Sequence, residues 1–227
     1  MKIKALQKLT LIDYPGHMAC TVFVFGCNYR CFYCHNPELI VEENTAEVEQ
    51  DYFFRFLSDR KGFLDAVCIT GGEPTLYSEL KDFIRKIKEM GFLVKLDTNG
   101  SNPQMMKELI DSRMVDYIAM DIKAPPGRYE EIVKQNVDIE KIKQSVEIIK
   151  ESGIDYEFRT TVVPELYEKD FAAIGEWLRG AKSHFLQQFR THKMLDQDYN
   201  KKPYSKDKLN EFCEIMKQFV VECGVRS

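Results

Sequence analysis

At 227 residues the chain is long enough for one sizeable core and short for two, so one unit spanning 1–227 is expected. A hydrophobic content of 44%, a charged content of 30% and a net charge of -4 give no global basic field for nucleic acid or an anionic membrane. The opening MKIKALQKLTLIDYPG lacks the apolar core of a signal peptide, and no apolar run approaches the roughly 20 residues that span a bilayer. Cytoplasmic is the expected location.

Along the chain, short β-branched or aromatic runs alternate with amphipathic helical patterns. Strands are expected over Cys20–Phe25, Ala66–Thr70, Leu93–Asp97, Tyr117–Ile122, Tyr156–Val163 and His184–Phe189. Helices are expected over Ala46–Asp59, Leu80–Met90, Gln104–Ser112, Asp138–Ser152 and Lys169–Arg179. Leu80, Phe83, Ile84 and Ile87 form one apolar stripe, and Ile139, Ile142, Val146 and Ile149 another. Gly91 and Gly153 follow these stripes as helix stops. The alternation predicts an α/β fold of right-handed crossovers and parallel strands, six repeats rather than eight: a partial (βα)6 barrel or an open wound sheet. Its core is expected over about 11–190, with a loop and helix over 191–227. The irregular stretch Arg190–Tyr204 is a candidate lid or partner-binding loop.

The seven cysteines sort into two groups. Cys20 and Cys68 fall in strand-like runs, and Cys213 and Cys223 in a helical 3–4 pattern with Leu209, Phe212, Met216, Phe219 and Val220. Those four read as small buried hydrophobes. Cys27, Cys31 and Cys34 remain, spaced Cys-x3-Cys-x2-Cys on one loop. Three readings are open for them. Zinc held by these thiols and His35 would require adjacent residues Cys34 and His35 to close one tetrahedron. A redox pair of Cys31 and Cys34 leaves Cys27 without a role. A [4Fe–4S] cluster would take the three thiolates and keep one iron open for an external ligand, with Gly26 letting the backbone fold close.

In such folds ligands gather at the C-terminal strand ends. Those ends carry the cysteine loop, Gly71-Gly72-Glu73-Pro74, Asp97-Thr98-Asn99-Gly100, Asp121-Ile122-Lys123, Arg159-Thr160-Thr161 and Gln187-Gln188-Phe189-Arg190. Each alone has an ordinary explanation as a turn or a solvated charge. Together they converge on one rim.

The cysteine spacing with Tyr33 before the third thiol, and the Gly71–Pro74 tetrad, resemble the radical S-adenosylmethionine enzymes. Cys34-His35-Asn36, Asp97–Gly100 and Asp121–Lys123 are similar to the glycyl-radical-enzyme activases among them. LIDYPG and FGCNYRCFYCHNPELI resemble the branch of anaerobic ribonucleotide reductase activating proteins. The resemblance spans about Leu11 to Arg190. It implies reductive cleavage of S-adenosylmethionine at a [4Fe–4S] cluster, then abstraction of a hydrogen from a glycine of a partner glycyl radical enzyme. It also implies flavodoxin or ferredoxin as electron donor, docking beside the cluster around Arg30.

By the same resemblance Cys27, Cys31 and Cys34 hold the cluster. Tyr33 and His35 border the adenine, and Gly71 and Gly72 let the backbone approach the methionine moiety. Glu73 faces the methionyl ammonium, and Lys123 meets the carboxylate or ribose with Arg159 in support. Asp97, Thr98 and Asp121 resemble a monovalent-cation site. Asp13, in Asp13-Tyr14-Pro15-Gly16, corresponds to a loop near the substrate glycine. The arginine that follows that loop in pyruvate formate-lyase activases is replaced by His17 and Met18, and Gln188-Phe189-Arg190 stands where they carry a histidine. Two alternatives stay in view: a radical enzyme acting on a small molecule, such as a deazapurine synthase, and an iron–sulfur electron carrier. The carrier has no need for Gly71–Pro74, Asp97 or Lys123.

Overall fold

The computed structural model describes residues 1–41 and 46–226; Ser227, the last position of the 191–227 segment, lies outside the described residues. Eight strands form one sheet in chain order: β1 (Ile3–Thr10), β2 (Ala19–Val24), β3 (Ala66–Gly71), β4 (Leu93–Thr98), β5 (Tyr117–Asp121), β6 (Asp155–Val162), β7 (Ser183–Gln188) and β8 (Glu222–Arg226). From β2 to β8 every pairing is parallel, whereas β1 joins β2 antiparallel. Each parallel crossover advances the sheet by one strand in the same direction. Right-handed crossovers of constant direction bring their helices to one face and curl the sheet. The end strands β1 and β8 pair with one neighbour each, so the curl stays open as a partial α/β barrel.

The connecting helices are α1 (Glu38–Val41), α2 (Gln50–Asp59), α3 (Leu80–Glu89), α4 (Pro103–Asp111), α5 (Tyr129–Val133), α6 (Ile139–Glu151), α7 (Glu168–Trp177) and α8 (Lys206–Met216). The apolar stripes do what their spacing predicts. Leu80, Phe83, Ile84 and Ile87 of α3 are buried, as are Ile142, Val146 and Ile149 of α6. Under them lie Val22, Ile69, Leu96, Met120, Phe158 and Leu186, all fully buried. No helix among the described residues is long and apolar enough to cross a membrane.

The fold departs from the sequence expectation at both edges of the sheet. Six strands were expected and eight form among the described residues, because β1 and β8 lie outside the 11–190 core. β1 is buried only at its ends, Ile3 and Thr10, and carries lysines between them, as suits an edge. The helical 3–4 pattern ending at Cys223 breaks after Met216. Phe219 turns onto Gly175, where an added Cβ would lie 2.4 Å from its ring. Cys223 then enters β8 opposite His184 of β7. The periodicity past Met216 was coincidental, and the free backbone edge of β7 captured the segment. Cys223 is nonetheless buried, as are Cys20, Cys68 and Cys213.

Candidate active site

The cysteine loop begins where β2 ends, at Gly26. Its φ of +88° is left-handed, and an added Cβ would have no atom within 4 Å, so backbone conformation rather than a clash reserves this position for glycine. The Gly26 amide donates to Leu39 O (2.7 Å), and its carbonyl accepts from the Glu73 amide (2.7 Å). Arg30, expected near a docking surface, turns its guanidinium inward and donates to the carbonyls of Cys27 (2.7 Å) and Tyr29 (2.8 Å). The Cys34 amide donates to Cys31 O (3.0 Å). Cys27 Sγ accepts from the Tyr29 amide (3.4 Å) and from Asn99 Nδ2 (3.8 Å).

Gly71 ends β3 and Gly72 follows it, against this loop. An added Cβ on Gly72 would sit 1.9 Å from Gly26 O, so the contact that demands glycine is with the cysteine loop itself. Glu73 is turned into the protein rather than toward a ligand: it is 0% exposed and does not line the adjoining cavity. Its carboxylate accepts from the Thr75 amide (3.1 Å) and hydroxyl (2.5 Å), the Thr98 hydroxyl (2.7 Å) and the Asn99 amide (2.6 Å). Burial pushes its pKa up, and the four donors work in the opposite direction. Asn99 in turn donates to Asn28 Oδ1 (2.9 Å). Glu73 thus ties the end of β4 to the cysteine loop.

A cavity of about 100 Å³ opens here, lined by Cys27, Cys34, Gly71, Gly72, Asn99 and Lys123, with Asp97, Thr98, Asp121 and Arg159 completing its wall. The charged groups of that wall are paired. Arg159 donates to Asp97 Oδ2 (3.0 Å) and Asp121 Oδ1 (2.9 Å), and Lys123 Nζ to Asp121 Oδ2 (2.8 Å). Burial opposes ionisation of both aspartates, yet Arg159 holds them below the usual carboxylate range, helped by Lys95 at Asp97 and by Lys123 at Asp121.

Asp97 and Arg159 also line a second cavity, of about 810 Å³, which reaches Ile12 and Asp13 before β2 and Arg226 on β8. Asp13 is held by the Thr21 hydroxyl (2.6 Å). His35 and His192 both line this space, with stacked rings 6.0 Å apart. Burial lowers the His35 pKa, and the neighbouring His192, Arg190 and Lys123 charges lower it further. Tyr33 lines neither cavity; it lies buried below the Lys123 ammonium, which stands 6.0 Å from its ring centre. The Arg190–Tyr204 segment packs on the back of the cysteine loop, with Tyr199 against Phe32 (4.7 Å) and the Asp196 amide on Phe32 O (3.0 Å).

Residues 21–178 match the Radical SAM superfamily. The chain belongs to the radical S-adenosylmethionine superfamily. This radical S-adenosylmethionine enzyme is 33% identical to a protein of Methanocaldococcus jannaschii named as a glycyl-radical enzyme activating enzyme, over 99% of this chain and 95% of the relative. It is 26% identical to pyruvate formate-lyase 1-activating enzyme of Escherichia coli, over 78% of this chain and 75% of the relative. Among solved structures, Streptococcus suis SuiB bound to S-adenosylmethionine shares the fold. That match has a TM-score of 0.70 and 14% identity, and it covers 90% of this chain and 49% of SuiB.

The donor set of this superfamily member fits a [4Fe–4S] cluster with S-adenosylmethionine. Burial pushes the Cys27 thiol up to about 12 and the Cys31 thiol up to about 11, and raises Cys34 as well. Buried thiolates of this kind form when a metal supplies compensating charge. Among the described residues no three side chains converge on a single metal ion.

Three further participants escaped sequence reading: Lys95, Glu157 and Arg226. Glu157 is buried and receives both Arg226 nitrogens (2.7 Å each) and the Tyr117 hydroxyl (2.9 Å). The available signal was position. Lys95 and Glu157 are charges in the middle of strands expected to be covered on both faces, and a charge there needs a partner.

Proposed function

We propose that this enzyme activates a glycyl radical enzyme of the anaerobic ribonucleotide reductase type. A [4Fe–4S] cluster, when bound, supplies the electron that splits S-adenosylmethionine into methionine and a 5′-deoxyadenosyl radical, which takes hydrogen from the partner's glycine Cα. Cys27, Cys31 and Cys34 hold the cluster. Gly71 and Gly72 border the methionyl end, and Lys123 with Arg159 receives its carboxylate. His35 is the adenine neighbour on the cavity side, with Tyr33 packed behind it. Glu73 acts by bracing the loops rather than by meeting the ammonium. Asp13 stands on the substrate side, and flavodoxin or ferredoxin is the electron donor. A cytoplasmic location follows from this partnership.

The observation that carries the reading is that Asp97 and Arg159 line both cavities. The inner one adjoins the thiols, while the outer one spans the open side of the barrel, where an inserted peptide loop has room. Anaerobically reconstituted protein should bind about four irons and convert S-adenosylmethionine to 5′-deoxyadenosine, with both lost in Cys31→Ala. Mixed with reductant and its glycyl radical enzyme, it should yield the EPR doublet of a backbone glycyl radical. Cofactor cleavage with no doublet from any such partner would favour the small-molecule alternative. Normal iron loading of Cys31→Ala would overturn the cluster assignment.

A further inference from the structure

The resemblance implies a monovalent cation held by Asp97, Thr98 and Asp121, and the side chains here do not fit one. All four carboxylate oxygens already accept from the protein. Lys95 Nζ donates to Asp97 Oδ1, Arg159 to Asp97 Oδ2 and Asp121 Oδ1, and Lys123 to Asp121 Oδ2. The Thr98 hydroxyl is committed as well: it donates to Glu73 and accepts from the Gly100 amide (3.1 Å). Two carboxylates meet three cationic groups, leaving one positive charge in excess. An added alkali cation would have to displace an ammonium or guanidinium and then sit among like charges.

Lys95 is the unexpected member of this set. It lies inside β4, 1% exposed, two residues before Asp97, so both side chains emerge on the same face of the sheet. Its side chain is buried at the wall of the outer cavity. Besides Asp97, it meets Cys68 Sγ at 3.8 Å and stands 5.9 Å from the Tyr117 ring centre. A buried lysine is tolerated only when firmly paired, and here the pairing partner is the carboxylate that the cation would require.

We propose that Lys95 is a built-in replacement for the alkali cation: its ammonium neutralises Asp97 and leaves the excess positive charge of Lys123 and Arg159 for the carboxylate of S-adenosylmethionine. Lys95 is accordingly a positioning residue, acting through Asp97 and Arg159. This rests on the cofactor reading above.

The test is equilibrium dialysis of S-adenosylmethionine against iron-loaded protein in potassium, sodium or tetramethylammonium chloride at equal ionic strength. The wild type should bind equally in all three, within about twofold. Lys95→Met should lose about tenfold in tetramethylammonium, the size of one lost charge-assisted contact, and regain most of it in potassium. Lys95→Arg should restore indifference to the salt. A wild type that needs potassium would overturn the inference alone, whether or not Lys95→Met folds. So would an iron-loaded Lys95→Met that is indifferent to the salt. Absence of binding by the wild type in every salt would overturn the cofactor reading and this inference with it.

Discussion

The two cavities that share Asp97 and Arg159 are built on opposite principles. Around the inner one, polar groups are buried and spoken for by the protein: Glu73 holds four donors, and Asp97 and Asp121 share Arg159. At the edge of the outer one, Ile12 lines the cavity at 84% exposure, and Leu11 beside it in the chain is 67% exposed. Pre-pairing fixes positions before a ligand arrives, which lowers the ordering cost of binding. An exposed apolar rim is a surface to be covered by another molecule. The inner half is therefore organised for a small charged cofactor, and the outer half for something that arrives already folded.

Three substitutions would break or sharpen this contrast. The largest effect is expected at Glu73. In Glu73→Gln the new amide nitrogen must face an N–H or O–H donor, so unfolding should become easier by about 2–4 kcal/mol. Chemical denaturation measures this, and iron loading should fall in parallel, since the cysteine loop loses its brace. A milder and more selective outcome is expected on the outer side. Ile12→Asp should leave 5′-deoxyadenosine formation without partner unchanged while lowering glycyl-radical yield about tenfold, as loss of one apolar anchor at an interface would. Equal loss of both activities would erase the distinction between the two halves.

The smallest effect at neutral pH concerns His184, buried in β7. Thr160 gives its hydroxyl proton to Ile122 O (2.8 Å), so His184 Nε2 is the donor across the 2.9 Å contact and Nδ1 carries no proton. Burial lowers the His184 pKa to about 3, well below the 6.5 of a free imidazole. A base depressed on folding binds fewer protons in the native state than in the unfolded one. Its neutral form costs nothing above about 6.5, and stability drains away as pH falls from there toward about 3. His184→Gln should flatten that part of a melting-temperature profile against pH and change little at pH 8.

The sequence discloses the inner strands because a strand covered on both faces must be apolar throughout. Runs such as Val22–Val24 and Val67–Ile69 have no other reading. β1 and β8 have one covered face or little length, and their residues could equally be loop or helix. The cysteine triad was legible from spacing, since three soft ligands on one loop have few uses. Glu73 was legible as part of a tetrad but its hydrogen bonds were not, because its partners Thr98 and Asn99 lie at the end of another strand. Lys95 is a plain lysine until β4 is known to be buried; Asp97 is its neighbour along the strand, and only tertiary contact brings Arg159 to that aspartate and Cys68 to the lysine.

The strand order has one further consequence, in topology rather than energy. A closed barrel is a ring, and only a chain end or a small molecule can pass through a ring. β1 and β8 never meet, so this barrel is a slot. A polypeptide tethered at both ends to its own folded body can be laid into a slot sideways and lifted out again, with nothing threaded and nothing unfolded.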